Sequence, residues 1–134
     1  MKLSKRAKTL IAVSAASLLP AVLIAAPAQA REIERTGTCT MNSVFTAEIE
    51  REYNVWDLSF EVDTLKAGDT WRLIVNQNGK RVANQKAKAI QNWDDSYAEL
   101  DWDLIRPNRP GADRFFMSAK NLTTGEICRV TLRG

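Results

Sequence analysis

Apolar and polar residues alternate along most of the chain after residue 30, with the two-residue period of a β-strand. The clearest run has an apolar residue at every second position: Trp56, Leu58, Phe60 and Val62. Successive side chains of a strand point to opposite faces of a sheet, so this run predicts a strand with one buried face. No segment after residue 30 has the 3.6-residue period of an amphipathic helix.

Six further segments alternate in the same way or follow a turn signal. They are 45–50, 71–76, 80–89, 99–104, 115–119 and 128–133. Asn78-Gly79 accepts the positive φ values of a tight turn and predicts a hairpin. Segments 66–69 and 123–126 have the composition of turns. About seven short strands predict one all-β domain at residues 31–134, an antiparallel immunoglobulin-like β-sandwich.

Residues 1–30 have the organisation of a cleavable secretory signal peptide. Four basic residues precede an apolar stretch from Leu10 to Ala26. Ala28-Gln29-Ala30 then matches a small-residue cleavage site. The apolar stretch is short for a membrane span and contains Pro20. We therefore expect export to a secreted, periplasmic or cell-envelope location, with no membrane span in the mature protein.

Removal of this leader changes the charge of the protein. The whole chain has 19 basic and 16 acidic residues, a net charge of +3. Four of the basic residues and none of the acidic ones lie in residues 1–30, so residues 31–134 carry 15 basic and 16 acidic residues, a net charge of −1. The basic character belongs to the leader, and the sequence therefore argues against nucleic acid as a partner.

The mature chain contains two cysteines and no histidine. In an oxidising compartment Cys39 and Cys128 are expected to form a disulfide that joins the first and last strands. The absence of histidine excludes Ser-His-Asp catalysis and the commonest zinc sites. We therefore expect no enzymatic activity, no cofactor and no metal.

The chain resembles small exported bacterial proteins of unassigned function that have an immunoglobulin-like β-sandwich. The resemblance lies in Gly37-Thr38-Cys39, Trp71, Asn78-Gly79 and the segments 110–115, 119–121 and 124–128. These are turn and core positions, so the resemblance implies fold and export. It assigns no ligand and no catalytic residue.

Four tryptophans divide into two classes. Trp56, Trp71 and Trp102 alternate in phase with Leu and Val, which predicts core packing. Trp93 lies among polar and acidic residues in the predicted loop 91–96. Its indole is expected either to cap the open end of the core or to be an exposed anchor for a protein or glycan.

A second candidate loop, 105–112, carries Arg106 and Arg109 on a segment stiffened by Pro107 and Pro110, with Arg114 just beyond it. Guanidinium groups on a stiff loop are suited to bind an acidic partner. The alternative is a solvated connection whose prolines fix its course.

Two strands carry rows of like charge. Lys80, Arg81, Lys86 and Lys88 form a basic row, and Glu99, Asp101 and Asp103 form an acidic one. The two rows are expected either to pair across neighbouring strands or, for the lysines, to protect a sheet edge. Asp94, Asp95, Asp101 and Asp103 offer carboxylate oxygens for a calcium site, but their spacing matches no calcium-binding loop motif. A hydrolase using the same acids needs a substrate cleft, for which a sandwich of 104 residues with short loops has little room.

The sequence predicts an exported, non-catalytic binding module that displays loops 91–96 and 105–112 to an envelope or extracellular macromolecule. The alternative is an inhibitor or immunity-type protein that blocks a secreted hydrolase. The oligomeric state is left open.

Overall fold

The computed structural model describes residues 31–94 and 96–134. The described residues form nine strands and no helix. The strands are β1 (Arg31–Thr38), β2 (Val44–Glu52), β3 (Val55–Thr64), β4 (Thr70–Gln77), β5 (Lys80–Lys88), β6 (Ile90–Gln91), β7 (Ala98–Pro107), β8 (Arg114–Asn121) and β9 (Ile127–Arg133). The prediction of an all-β domain is confirmed.

The strands form two antiparallel sheets. One has the order β1-β2-β3-β7-β6 and the other the order β5-β4-β8-β9. The prediction of seven strands missed β1 and β6. Strand β1 was missed because this edge strand is mostly exposed and Ile33 is its one large apolar residue, so it shows no alternation. Strand β6 was missed because it contains only two residues.

The core lies between the inner faces of the two sheets. Trp56, Trp71 and Trp102 are buried there, as predicted. The Phe45 and Phe60 rings stack with their centroids 5.4 Å apart. Because alternate residues of each strand enter this core, the intervening residues form the two outer faces.

The Asn78-Gly79 turn joins β4 and β5 as predicted, and both residues have positive φ. Strand β5 lies at the edge of its sheet, which places its lysines where they oppose edge-to-edge pairing. The predicted pairing of the basic and acidic rows is wrong. Strands β5 and β7 belong to different sheets, and the two rows are not neighbours in a ladder.

A disulfide joins Cys39, directly after β1, to Cys128 in β9. It therefore links the two sheets through the first and last strands, as predicted. The proposed signal peptide, residues 1–30, lies outside the described residues. Within the described part of the chain, no helix has the length and hydropathy needed to cross a membrane.

The strand connections define two ends of the molecule. The disulfide end contains Cys39 and the connections 65–69, 92–97 and 122–126. The arginine end contains the turns 53–54 and 78–79 and the connection 108–113.

Candidate functional site

The two predicted binding loops lie at opposite ends of the molecule. Loop 92–97 precedes β7, and connection 108–113 follows it. A strand of ten residues spans about 33 Å. The two loops therefore do not form one surface, which corrects the prediction that they act together.

Trp93 does not cap the core. Its side chain is 99% exposed in the loop between β6 and β7. The loop is held at its base by a hydrogen bond of 3.3 Å from the Asn92 amide to the Tyr97 carbonyl oxygen. The capping role predicted for Trp93 is therefore wrong, and its role as an exposed anchor stays a prediction. Asp95, in the same loop as Trp93, lies outside the described residues.

The arginine loop is organised by a buried carboxylate, that of Asp113. One carboxylate oxygen accepts hydrogen bonds from the side chains of Gln77 (3.1 Å) and Asn78 (2.9 Å). The other accepts from the Trp56 indole (2.8 Å) and from the Arg109 backbone amide (3.2 Å). Asp113 thus connects both sheets and determines the course of connection 108–113.

The environment of Asp113 also determines its charge. Burial raises the pKa of this carboxyl because the charged form loses hydration, and only 1% of the residue is exposed. Hydrogen bonds from Gln77, Trp56, Asn78 and the Arg109 amide stabilise the charged form and outweigh burial. The pKa of Asp113 therefore lies below its ordinary value of 3.8. Sequence reasoning missed this residue, because its partners are distant along the chain.

The structure does not bring Arg106, Arg109 and Arg114 together as one binding group. Arg106 lies in β7 and its Nε donates to Gln77 Oε1 at 3.4 Å, so it is tied to the Asp113 network. Arg109 is exposed in the connection. Arg114 is exposed in β8, directly opposite Arg133 of β9. Only Arg114 belongs to a larger cluster of like charge.

That cluster is the outer face of the four-stranded sheet. Strands β4, β5, β8 and β9 contain no aspartate or glutamate. The ladder registers place eight cations on their outer face: Arg72, Arg81, Lys86, Lys88, Arg114, Lys120, Arg129 and Arg133. We call this surface the basic face.

Like charges on the basic face lie directly opposite one another. Arg72 of the inner strand β4 pairs in register with Lys86 on one side and Lys120 on the other. The Nε atom of Arg72 is buried and has no hydrogen-bond partner among the described residues. Like charges opposite each other in a sheet are destabilising, so this row costs the fold stability unless an anion covers it.

A groove of about 600 Å³ at the arginine end extends the basic face towards β1. Arg31 and Arg35 of β1 line it together with Arg114 and Arg133. Glu32 and Glu34 also line the groove. Its charge is therefore mixed, in contrast to that of the basic face.

The outer face of the five-stranded sheet has the opposite charge. All eleven carboxylates in its strands have outward register, and its four arginines have inward register. We call this surface the acidic face; its carboxylates are Glu32, Glu34, Glu48, Glu50, Glu52, Asp57, Glu61, Asp63, Glu99, Asp101 and Asp103. Two groups of three, Glu32 with Glu34 and Glu48, and Glu61 with Asp63 and Glu99, have oxygens within 4.8 Å of one another.

The carboxylates of the candidate calcium site are divided between two places. Asp101 and Asp103 lie on the acidic face in β7, whereas Asp94 lies in the loop at the disulfide end. The closely spaced carboxylate groups of the acidic face are different residues from that predicted set. The acidic face is thus a surface of carboxylates spread over β1, β2, β3 and β7, and does not coincide with the predicted calcium site.

Comparison of the chain with protein-family models, with curated proteins and with solved structures returned no match. The two charged faces and the fold that separates them are therefore the features that bear on function.

Proposed function

We propose that this protein is an exported, non-catalytic binding module whose basic face binds an anionic macromolecule. One observation carries the proposal: eight cations and no carboxylate share the outer face of the four-stranded sheet. This face replaces loops 91–96 and 105–112 as the main contact surface, because the loops point away from each other.

The row of Lys86, Arg72 and Lys120 supports a binding role. A solvated surface without a partner gains nothing from three cations in one row, and mixed charges would stabilise the sheet. An anionic partner removes the repulsion and gains charge-assisted hydrogen bonds to guanidinium and ammonium groups. Phe116 is the one aromatic residue in register on this face, which favours a partner other than single-stranded nucleic acid.

The fold supports the immunoglobulin-like class as part of this proposal. A sheet of order β5-β4-β8-β9 has the C′-C-F-G pattern of these domains, and β2, β3, β7 and β6 have the A-B-E-D pattern. Trp71 lies buried in β4, the position of the strand C tryptophan. The disulfide and the leader at residues 1–30 support an exported location.

Binding of dextran sulfate, a soluble polyanion, tests the proposal. Residues 31–134 are titrated with the polymer over a range of salt concentrations, alongside two variants that each lose two positive charges. One is Lys86→Gln/Lys120→Gln on the basic face, and the other is Arg106→Gln/Arg109→Gln at the arginine end. Thermal unfolding of all three proteins confirms that each is folded.

We expect the affinity of the parent protein to fall steeply with salt, because binding releases counterions. The basic-face variant is expected to bind more weakly, with a salt slope smaller by roughly one to two units. The arginine-end variant is expected to bind like the parent. Equal binding by parent and basic-face variant, or a loss confined to the arginine-end variant, would overturn the proposal.

A further inference from the structure

The basic face and the acidic face have opposite charge and nearly the same dimensions. Charged residues of the acidic face come from β1, β2, β3 and β7, and those of the basic face from β5, β4, β8 and β9. Each face is therefore four charged strands wide, about 14 Å from first to last strand axis. The eight strands that carry these charges are seven to ten residues long.

The charges on both faces also have the same spacing. Neighbouring strands in a sheet lie about 4.8 Å apart, and residues on one face of a strand repeat about every 6.7 Å. On the basic face, Lys86, Arg72 and Lys120 follow the first spacing. On the acidic face Glu61 and Asp101 lie in register across β3 and β7, and Asp63 lies in register with Glu99.

We infer that the anionic partner of the basic face is the acidic face of a second copy of this protein. The inference rests on the proposed function and names the partner of the same surface. Two sheets pack face to face about 10 Å apart, so a sheet of one copy can cover the opposite sheet of another. The net charge of −1 for residues 31–134 leaves little overall repulsion between copies.

The distribution of charge determines the kind of assembly. A symmetric dimer through either face places like charges opposite each other, which is unfavourable. A contact between unlike faces leaves each copy with one open face, so further copies add in the same way. The expected product is a head-to-tail stack whose length increases with concentration.

Sedimentation velocity of residues 31–134 tests the inference with two variants, each altered on one face. The basic-face variant is Lys86→Gln/Lys120→Gln, and the acidic-face variant is Glu61→Gln/Asp101→Asn. Low ionic strength, about 0.01 M, gives a Debye length of about 30 Å, and about 1 M salt reduces it to about 3 Å. Neutralised residues are used because reversed charges would create new complementary faces.

At low ionic strength the parent is expected to form a concentration-dependent series of species that dissociates in high salt. Each variant alone is expected to self-associate more weakly than the parent, with an affinity reduced by up to about tenfold. At a protein concentration at which each variant alone is monomeric, their equimolar mixture is expected to form a one-to-one dimer, because the mixture has one intact pair of unlike faces. Dextran sulfate is expected to dissociate the parent assembly by competing for the basic face.

A parent protein that stays monomeric at every concentration and low salt would overturn the inference. So would equal assembly by parent and variants, or growth of the mixture beyond a dimer at a concentration at which each variant alone is monomeric. If the monomeric parent still binds dextran sulfate through the basic face, the proposed function stands and only the identity of the partner is wrong. If dextran sulfate binding is also absent, both fail.

Discussion

Among single residues, Asp113 has the largest structural role at the arginine end. Its carboxylate accepts four hydrogen bonds, two of them from Trp56 and Gln77 in opposite sheets. The Asp113→Asn variant replaces one acceptor oxygen by a donor and leaves buried donors without a partner. We expect it to lower the free energy of unfolding by about 1–3 kcal/mol. Asp57→Asn, the same change on the acidic face, is the control and is expected to cause no loss.

Asp113 also determines how stability depends on pH. Its folded-state pKa is lowered, so the unfolded chain takes up the proton first as the pH falls. The stabilisation is fully present above about pH 5 and is lost as the pH falls through the folded-state value, below 3.8. Urea unfolding should show the parent and Asp113→Asn converging in stability as the pH falls below 3.8. A stability difference that is constant with pH would contradict this account.

Trp93 and Trp56 provide a contrast between an exposed and a buried indole. Trp93 is 99% exposed and Trp56 is 1% exposed. We expect Trp93→Ala to change the free energy of unfolding by less than about 0.5 kcal/mol. Trp56→Ala is expected to cost about 3–5 kcal/mol or to prevent folding. Chemical denaturation measures both, and a large loss in Trp93→Ala would show that the loop packs on the fold.

At the scale of secondary-structure elements, the cross-strand row of Lys86, Arg72 and Lys120 predicts an inverse relation between binding and stability. Lys86 of β5 lies opposite Arg72 of β4. Lys86→Gln removes this repulsion, so we expect a gain of about 0.2–1 kcal/mol in unfolding free energy at low salt, while binding of dextran sulfate weakens. The gain should shrink in high salt.

Arg35→Gln is the matched control for Lys86→Gln, since Arg35 in β1 lies opposite Ala47. It removes one positive charge without relieving an opposed pair. The two variants are compared by their change in unfolding free energy. If Lys86→Gln lowers this free energy as much as Arg35→Gln does, or more, then Lys86 is not repelled by Arg72.

The disulfide determines the stability of the contact between the first and last strands. Cys39 and Cys128 are separated by 89 residues along the chain. In the chain-entropy model, closing a loop of this length contributes roughly 4–5 kcal/mol. We expect reduction to remove most of the thermal stability, measured as the shift in Tm with reductant. An unchanged Tm would show that β1 and β9 hold together without the covalent link.

Sequence alternation was sufficient to predict most of the strands, because one buried face leaves a two-residue pattern in the chain. It failed at β1, whose edge position leaves the Arg31–Thr38 segment mostly exposed. It failed at β6, which has two residues. The hairpin at Asn78-Gly79 was predicted because its turn chemistry is local.

At the scale of the whole molecule, the charge distribution is invisible in the net charge of −1. Alternation shows that Arg72, Lys120 and Arg129 point outward from their strands. It does not show that β4, β5, β8 and β9 share one sheet, because pairing between distant strands determines sheet order. For the same reason the sequence could not show that loops 91–96 and 105–112 lie at opposite ends.

The central claim is that the basic face, and not the loops, is the binding surface. The most direct test is an NMR titration of ¹⁵N-labelled residues 31–134 with dextran sulfate, which reports every backbone amide separately. We predict shifts concentrated in β4, β5, β8 and β9, strongest around Arg72 and its neighbours Lys86 and Lys120. Shifts confined to the loop around Trp93 or to connection 108–113, with the four strands unchanged, would contradict the account.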